Sequence, residues 1–283
     1  MDAQTPEAHT DPLILFLHIP KTGGTTLIEI LRATYGRDRF IRVQEGSNSE
    51  NYATVAGILA ERPDAYDAIA AHMRQFGVHE SSTRSCLYLA TLRDPAQRVL
   101  SKYYKVLRRD DHKRHEHFMQ DDLDIETAIR TMENNLQTRI IAGTVGEGEP
   151  VTPAHLEQAK HNLANHFAVP FLIERYAESL LLLKRRLGWS KLVQVAPQNV
   201  GGNRPRQTDT DLYALAQESN ALDVELYDYA NALLDEQIAA EGTAFQLEMR
   251  SQALKSAVGT PVKSALRGVW QQVRAFGPGN KDD

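Results

Sequence analysis

The clearest pattern in the chain is a short apolar run, a turn of small residues and then apolar positions at helical spacing. Residues 13–17 are continuously apolar, a length that suits a buried strand and is too short to span a membrane. The sequence KTGGTT follows at residues 21–26, and apolar residues then recur at Leu27, Ile30 and Leu31. This stretch therefore predicts a strand, a glycine-containing turn and a helix.

The same alternation of strand and helix patterns continues along the chain. Apolar runs predict further strands at residues 40–43, 66–71, 87–92 and 167–173. Helical spacing and capping residues predict helices at residues 51–61, 95–108, 125–142, 153–165 and 176–187, and two more within 209–240. Strands that alternate with helices in this way predict an α/β fold with a central parallel sheet flanked by helices.

Composition along the chain predicts one main domain with two flanking segments. Residues 1–12 are polar and are predicted to be flexible, and residues 13–243 carry the strand and helix patterns. Residues 244–283 mix apolar and basic side chains and predict a helical tail. That tail either packs on the domain or makes peripheral contact with a membrane surface or a partner.

Three polar residues fall directly after predicted strands: Lys21, His72 and Arg93. In open α/β sheets, ligands bind at the carboxyl ends of the strands. The turn at residues 21–26 would direct backbone N–H groups and the positive end of a helix dipole toward that edge, which favours an anion. The turn is not a Walker A loop, because its lysine precedes the glycines.

Two motifs resemble one known family. HIPKTGGTT at residues 18–26 is similar to the 5′-phosphosulfate-binding loop of sulfotransferases that use 3′-phosphoadenosine 5′-phosphosulfate (PAPS). The likeness is greatest to the heparan sulfate 2-O- and 6-O-sulfotransferases and their bacterial relatives. LYLATLRDPAQRVLSKYY at residues 87–104 resembles the 3′-phosphate-binding segment of the same family, and the likeness extends over roughly residues 13–189. The resemblance implies a P-loop-like three-layer sandwich, PAPS as donor and adenosine 3′,5′-bisphosphate (PAP) as product.

The resemblance also implies roles for individual residues. Lys21 is the expected stabiliser of the leaving group and His72, in AAHMRQFG, the expected general base. A glycine-rich loop at residues 198–208 is expected to close over the nucleotide with Arg204 and Arg206. The residues expected to bind the donor are Lys21, Thr22, Gly23, Gly24, Thr25, Thr26, Arg93, Ser101 and Arg204.

Other residues compete for the role of base, and a metal is not expected. His18, His79, Glu29 and Glu80 could also accept a proton, although His18 is better suited to supporting the loop by hydrogen bonding. The histidines at 112, 115 and 117 lie in a densely charged run that predicts a solvated loop rather than a metal site. The lysine and arginine supply the positive charge that this transfer reaction requires.

Composition narrows the class of protein. A net charge of −5 gives no sign of nucleic-acid binding, and a single cysteine, Cys86, excludes an internal disulfide framework. There is no apolar run of membrane length and no signal-peptide pattern, so we expect a cytoplasmic enzyme. The sequence predicts sulfuryl transfer from PAPS to an acceptor hydroxyl, expected to be a carbohydrate. The alternatives are a protein-tyrosine sulfotransferase, a P-loop nucleotide kinase and a non-catalytic nucleotide-binding protein.

Overall fold

The computed structural model describes residues 11–107, 125–131, 134–144, 148–193 and 210–251. By its internal contacts the chain divides into two compact units, Met1–Glu236 and Gln237–Asp283. The first unit contains the sheet, and in the second unit residues 242–251 are helical. The expected domain boundary at residue 243 stays a prediction.

Parallel strands form the centre of the first unit, as the sequence predicts. Strand β1 pairs with β3 and β4 on either side, and the first sheet has the order β2-β3-β1-β4. Strand β5 follows β4 directly and pairs with β6. A bridge between Tyr88 and Phe167 joins the two groups of strands into one layer. The strands are β1 (Leu13–Leu17), β2 (Phe40–Val43), β3 (Ala68–Ala71), β4 (Cys86–Leu89), β5 (Thr91–Leu92) and β6 (Phe171–Leu172).

Helices cover both faces of this layer. The helices are α1 (Gly24–Tyr35), α2 (Asn48–Glu61), α3 (Pro95–Leu107), α4 (Ile125–Thr131), α5 (Leu136–Ala142), α6 (Pro153–His166), α7 (Tyr176–Arg186), α8 (Thr210–Glu218) and α9 (Ala221–Ala240), with a 3₁₀ turn at Val78–Ser81. Right-handed crossovers from β1 to β2 and back from β2 to β3 place α1 and α2 on opposite faces of the sheet. The architecture is therefore an α/β three-layer sandwich.

The predicted helix over residues 125–142 is wrong, because the structure contains two helices there. Asn135, at a backbone φ of 51°, lies in the left-handed region and forms the N-cap of α5. The buried carboxylate of Asp223 accepts hydrogen bonds from the backbone N–H groups of Gln137 and Thr138, at 3.1 and 2.7 Å. This cap from a distant helix stabilises a second helix start that no local pattern could indicate.

Other elements differ from the predictions at their ends. The strand predicted at residues 87–92 is split at Ala90, and the strand predicted at 167–173 is reduced to the pair Phe171–Leu172. Helix α2 begins before the predicted residue 51, because Ser47 and Glu50 form a capping box ahead of it. Every residue of β1 is buried, which agrees with its continuous apolar run.

Candidate active site

The turn between β1 and α1 has an unusual backbone. Lys21 and Gly23 lie in the left-handed region, with φ of 72° and 77°. This conformation is strained for lysine and natural for glycine. A Cβ on Gly23 would also lie 2.6 Å from Cδ1 of Ile173, so a larger residue would clash as well. The chain therefore turns sharply enough to place α1 at the carboxyl edge of the sheet.

The N-terminus of α1 has no side-chain cap. Its N-cap is Gly23, which has no side chain to cap the helix, and its first turn contains no acidic residue. The first N–H groups of a helix lack partners within the helix, and the helix dipole adds a partial positive charge there. Thr25 and Thr26 occupy this turn and contribute further hydroxyl groups. The arrangement suits an anion such as a phosphate or sulfate group.

The buried side chain of Thr22 stabilises the turn through hydrogen bonds. Its side chain is fully buried, and its hydroxyl donates to the carbonyl of Ile19 at 2.8 Å. The same hydroxyl lies 2.8 Å from the hydroxyl of Thr91 on β5. The Thr22 side chain therefore ties the turn to the neighbouring strand, and the expected part of Thr22 in donor binding stays a prediction for its backbone N–H.

Arg93 reaches the same turn from the end of β5. Nη1 of Arg93 donates to the backbone carbonyl of Lys21 at 3.1 Å. Gln137 holds the backbone of Arg93 on both sides: its Oε1 accepts from Arg93 N, and its Nε2 donates to Arg93 O, each at 2.9 Å. The structure thus brings together two of the predicted donor-binding residues, Lys21 and Arg93, at one end of the sheet.

Two histidines meet beside this turn. Nδ1 of His18 lies 2.9 Å from Nε2 of His72, and the rings pack edge to face with centroids 4.3 Å apart. His18 also packs against the start of α1, where a Cβ on Gly24 would lie 2.9 Å from Cδ2 of His18. Gly24 is therefore required for the close packing of the helix on His18. His18 links the turn to His72, the predicted general base.

Burial and nearby cations keep both imidazoles neutral. Burial, then His72 and the charges of Arg42 and Lys105, lowers the pKa of His18 to about 3. Burial also lowers the pKa of His72, again assisted by Arg42 and Lys105. A neutral imidazole can accept a proton, so His72 is in the correct state for a base near neutral pH.

The comparison with known families identifies the class of enzyme. A family model described as galactose-3-O-sulfotransferase matches residues 2–261. The chain belongs to the galactose-3-O-sulfotransferase family. The protein is therefore a sulfotransferase, an enzyme that transfers sulfuryl groups. The match does not confirm the more specific likeness to the heparan sulfate 2-O- and 6-O-sulfotransferases.

No curated protein matches the chain. Within the described part of this sulfotransferase, no helix is both long and apolar enough to cross a membrane.

The remaining site predictions have different outcomes. Ser101 lies on α3 and is only 6% exposed, and its contact with the donor stays a prediction. Arg204 and Arg206 lie outside the described residues, as do the histidines at 112, 115 and 117 and the tail beyond residue 251.

The competing bases have other partners in the structure. Glu29 lies on α1 and pairs with Arg32 at 3.1 Å. His79 hydrogen-bonds the hydroxyl of Tyr88 at 3.1 Å, and Glu80 lies beside it in the same 3₁₀ turn. His18 hydrogen-bonds His72, and its expected support of the loop by hydrogen bonding stays a prediction.

Sequence reasoning missed four residues of this sulfotransferase site: Gln137, Thr91, Arg42 and Lys105. Gln137 lies in NNLQTR, a segment with a visible family likeness, but its hold on the Arg93 backbone depends on the tertiary fold. The effect of Arg42 and Lys105 on His72 depends on the folded structure, in which β2 pairs with β3. No spacing along the chain indicates these contacts.

Proposed function

We propose that this sulfotransferase transfers a sulfuryl group from PAPS to a carbohydrate hydroxyl, with His72 as general base. One observation carries the proposal: the uncapped start of α1, two cations and a neutral imidazole pair lie at the same edge of the sheet. These are the parts that a transfer of a charged group requires, namely an anion site, a charged partner for the leaving group and a base.

The donor end of the site is the turn at residues 21–26 together with Arg93. The N–H groups at the start of α1 and the Lys21 ammonium suit the 5′-phosphosulfate. The guanidinium of Arg93 has the planar, bidentate geometry that suits the 3′-phosphate. Since Gln137 fixes the Arg93 backbone, the guanidinium is positioned before the donor arrives.

The histidine pair supports Nδ1 of His72 as the proposed base nitrogen. Nε2 of His72 is engaged by Nδ1 of His18, so Nδ1 of His72 is the nitrogen left for an acceptor hydroxyl. For Nδ1 to carry a lone pair, the proton of neutral His72 must lie on Nε2 and be donated to His18. His18 is suited to accept it because burial keeps its own ring neutral.

The reaction then balances as a single displacement. The acceptor oxygen forms a bond to sulfur as the bond from sulfur to the bridging phosphate oxygen breaks. The acceptor proton passes to Nδ1 of His72, and the departing phosphate oxygen takes the negative charge. Lys21 and the N–H groups of α1 stabilise that charge where it develops.

The first acceptor to test is the 3-hydroxyl of galactose, because that hydroxyl appears in the description of the matching family. Purified enzyme would be incubated with sulfur-labelled PAPS and either galactosides or tyrosine peptides, without added metal. Labelled galactoside is the expected product. Labelled peptide alone, or no product with any hydroxyl, would contradict the proposal.

Binding of the product tests the donor site separately. PAP at 100 times its dissociation constant should stabilise the fold by roughly 2.7 kcal/mol, whereas ATP with magnesium should not match it. Arg93→Ala should weaken PAP binding by about 1.5–3 kcal/mol, since a charge-assisted contact is lost. Equal PAP affinity in wild type and Arg93→Ala would show that the donor assignment is wrong.

Lys21→Ala should lower kcat more than PAP affinity, because its partner charge grows in the transition state.

A further inference from the structure

A second basic region lies beside the edge strand β2, apart from the turn at residues 21–26. It is a cavity of about 300 Å³. Its lining residues are Arg32, Arg37, Phe40, Ile41 and Arg42. Three arginines therefore line one cavity, and no acidic residue is among its lining residues.

The positive charge in this cavity is poorly compensated. Arg32 pairs with Glu29 at 3.1 Å and lies over the ring of Phe40. Arg42 has no ion pair within the described ranges, and its buried Nε has no hydrogen-bond partner there. Burial, and then the neighbouring charge of Arg32, lowers the pKa of Arg42, while the carboxylate of Glu29 acts in the opposite direction. Two partly buried guanidinium groups side by side repel each other, and a bound anion would offset that repulsion.

The sheet register connects this cavity to the candidate base. Arg42 on β2 and Phe16 on β1 are both paired with Ala70 on β3. Paired residues in a sheet point to the same face, and so do residues two positions apart along a strand. Arg42 is therefore on the same face as Phe16, whose ring stacks on that of His18.

His72 continues this face two residues beyond Ala70, and its backbone N–H donates to the carbonyl of Val43 on β2. Strand spacings place the backbones of Arg42 and His72 about 8 Å apart. Ala70, which pairs with Arg42 and lies two residues before His72, adds only a methyl group to this face. Arg42 is also one of the charges that act on His72.

We propose that the cavity of Arg32, Arg37 and Arg42 binds a carboxylate or sulfate group of the acceptor, so that the natural acceptor is an acidic oligosaccharide. This inference rests on the proposed function. Guanidinium groups suit both anions, because their N–H groups match two oxygens at once. The separation from His72 suits an anionic group on the same or an adjacent sugar. The overall net charge of −5 indicates a local site for one such group rather than a surface for a long polyanion.

Matched acceptors test this site. Three tetrasaccharides would share one galactose-containing backbone: one with a single uronic acid, one in which that acid is reduced to an alcohol, and one with a sulfate ester in its place. Direct binding would be measured by calorimetry without PAPS, and KM and kcat with PAPS. The enzymes would be wild type, Arg42→Gln, Arg37→Gln and, as control, Arg62→Gln, which removes an exposed arginine at the end of α2.

The expected result is a clear preference for the acidic sugars. Wild type and Arg62→Gln should bind the carboxylated or sulfated tetrasaccharide about tenfold or more tightly than the neutral one, since charged hydrogen bonds typically contribute that much. Arg42→Gln and Arg37→Gln should each reduce this difference through KM for the acidic acceptor, with KM for PAPS unchanged. The carboxylated and sulfated forms together show which anion the cavity prefers.

Two negative outcomes are distinguishable. If wild type binds and sulfates the neutral sugar as well as the acidic ones, the anion site is wrong and the sulfotransferase proposal stands. If the acidic sugars bind more tightly, in a manner that depends on Arg42 and Arg37, but no sugar is sulfated, the anion site stands and the carbohydrate acceptor is wrong. An equal effect of Arg62→Gln would show nonspecific charge attraction, and the site would be rejected.

Discussion

Two strand-to-helix turns at the same edge of the sheet have opposite chemistry. The turn before α2 ends in a capping box: Ser47 Oγ accepts from Glu50 N at 3.3 Å, and Glu50 Oε2 accepts from Ser47 N at 2.7 Å. The turn before α1 ends in Gly23 and has neither a side-chain cap nor an acidic residue in the first turn. One helix start is capped by side chains of its own first turn, and the other has no side-chain cap at the edge of the sheet.

The difference between the two helix starts indicates that α1 is less stabilised locally because its N-terminus serves in binding. A side-chain cap at α1 would stabilise the helix but would occupy the donors that an anion needs. The left-handed Lys21 adds backbone strain at the same turn. Such departures from local preference are common at functional sites. By this reasoning α1 begins a binding site, and α2 begins an ordinary structural helix.

The largest expected effect is a loss of turnover when His72 is replaced, with donor binding at the α1 turn retained. His72→Ala removes the general base and should lower kcat by about 10²–10⁴-fold, because proton transfer of this kind typically contributes that much. PAP affinity should be retained, since the base contacts the acceptor. In wild type, kcat/KM should fall as pH drops through a pKa below 6.5, because His72 must be neutral and burial lowers its pKa.

His79→Ala and Glu80→Ala are the matched controls for this prediction, measured in the same labelled-PAPS assay. Both residues lie in the 3₁₀ turn that follows the His72 loop. If His72→Ala retains more than about a tenth of wild-type turnover while either control abolishes it, the base is the other residue.

The second prediction concerns a substitution that gives the first turn of α1 an acidic residue like that of α2. Glu50 is the third residue of α2, and Thr26 is the equivalent residue of α1. Thr26→Glu should weaken PAP binding by about 10²-fold, because a carboxylate would compete for the N–H groups and repel the phosphate. Calorimetry with PAP measures this, and Thr26→Gln, similar in size but neutral, is the control. Equal losses in both variants would point to a steric cause instead.

Much of the α1 turn could be predicted from sequence, because its signals are local. The apolar run of β1, the glycines after it and the helical spacing from Leu27 onward predict the strand, the turn and the helix. The convergence of Lys21, His72 and Arg93 follows from strand ends meeting at one edge of a parallel sheet. These predictions depend on the spacing of apolar residues and on the order of strands and helices, both of which can be read from the sequence.

The supporting contacts could not be predicted, because they join residues far apart in sequence. Gln137 holds Arg93, Thr91 contacts the buried hydroxyl of Thr22, and His18 contacts His72. Each contact follows from strand order and side-chain direction, which only the folded sheet defines. The break between α4 and α5 was missed for the same reason, since Asp223 caps α5 from another helix.

The third prediction concerns the effect of buried His18 on the pH dependence of the free energy of unfolding. The pKa of His18 is about 3 in the folded chain and 6.5 in the unfolded chain, so between these values the unfolded state binds more protons. Stability should therefore fall as pH drops below 6.5, by up to about 1.4 kcal/mol per pH unit from His18. Urea unfolding at a series of pH values measures this slope. His18→Asn should flatten it, and an unchanged slope would show that His18 is not responsible.

The smallest expected effect is at the capped turn, where only stability should change. Ser47→Ala removes the N-cap of α2 and should lower the free energy of unfolding by about 0.5–2 kcal/mol. Hydrogen bonds from Ser47 lower the pKa of Glu50, so the contribution of the Glu50 carboxylate to the capping box is present at neutral pH and lost as pH falls through that pKa. PAP affinity and kcat should remain at wild-type values, because α2 offers no open N–H groups to the donor. Urea unfolding measures the change in stability, and PAP calorimetry on the same samples measures the affinity. A loss of PAP affinity in Ser47→Ala would mean that α2 also contributes to the donor site, and the contrast between the two turns would no longer hold.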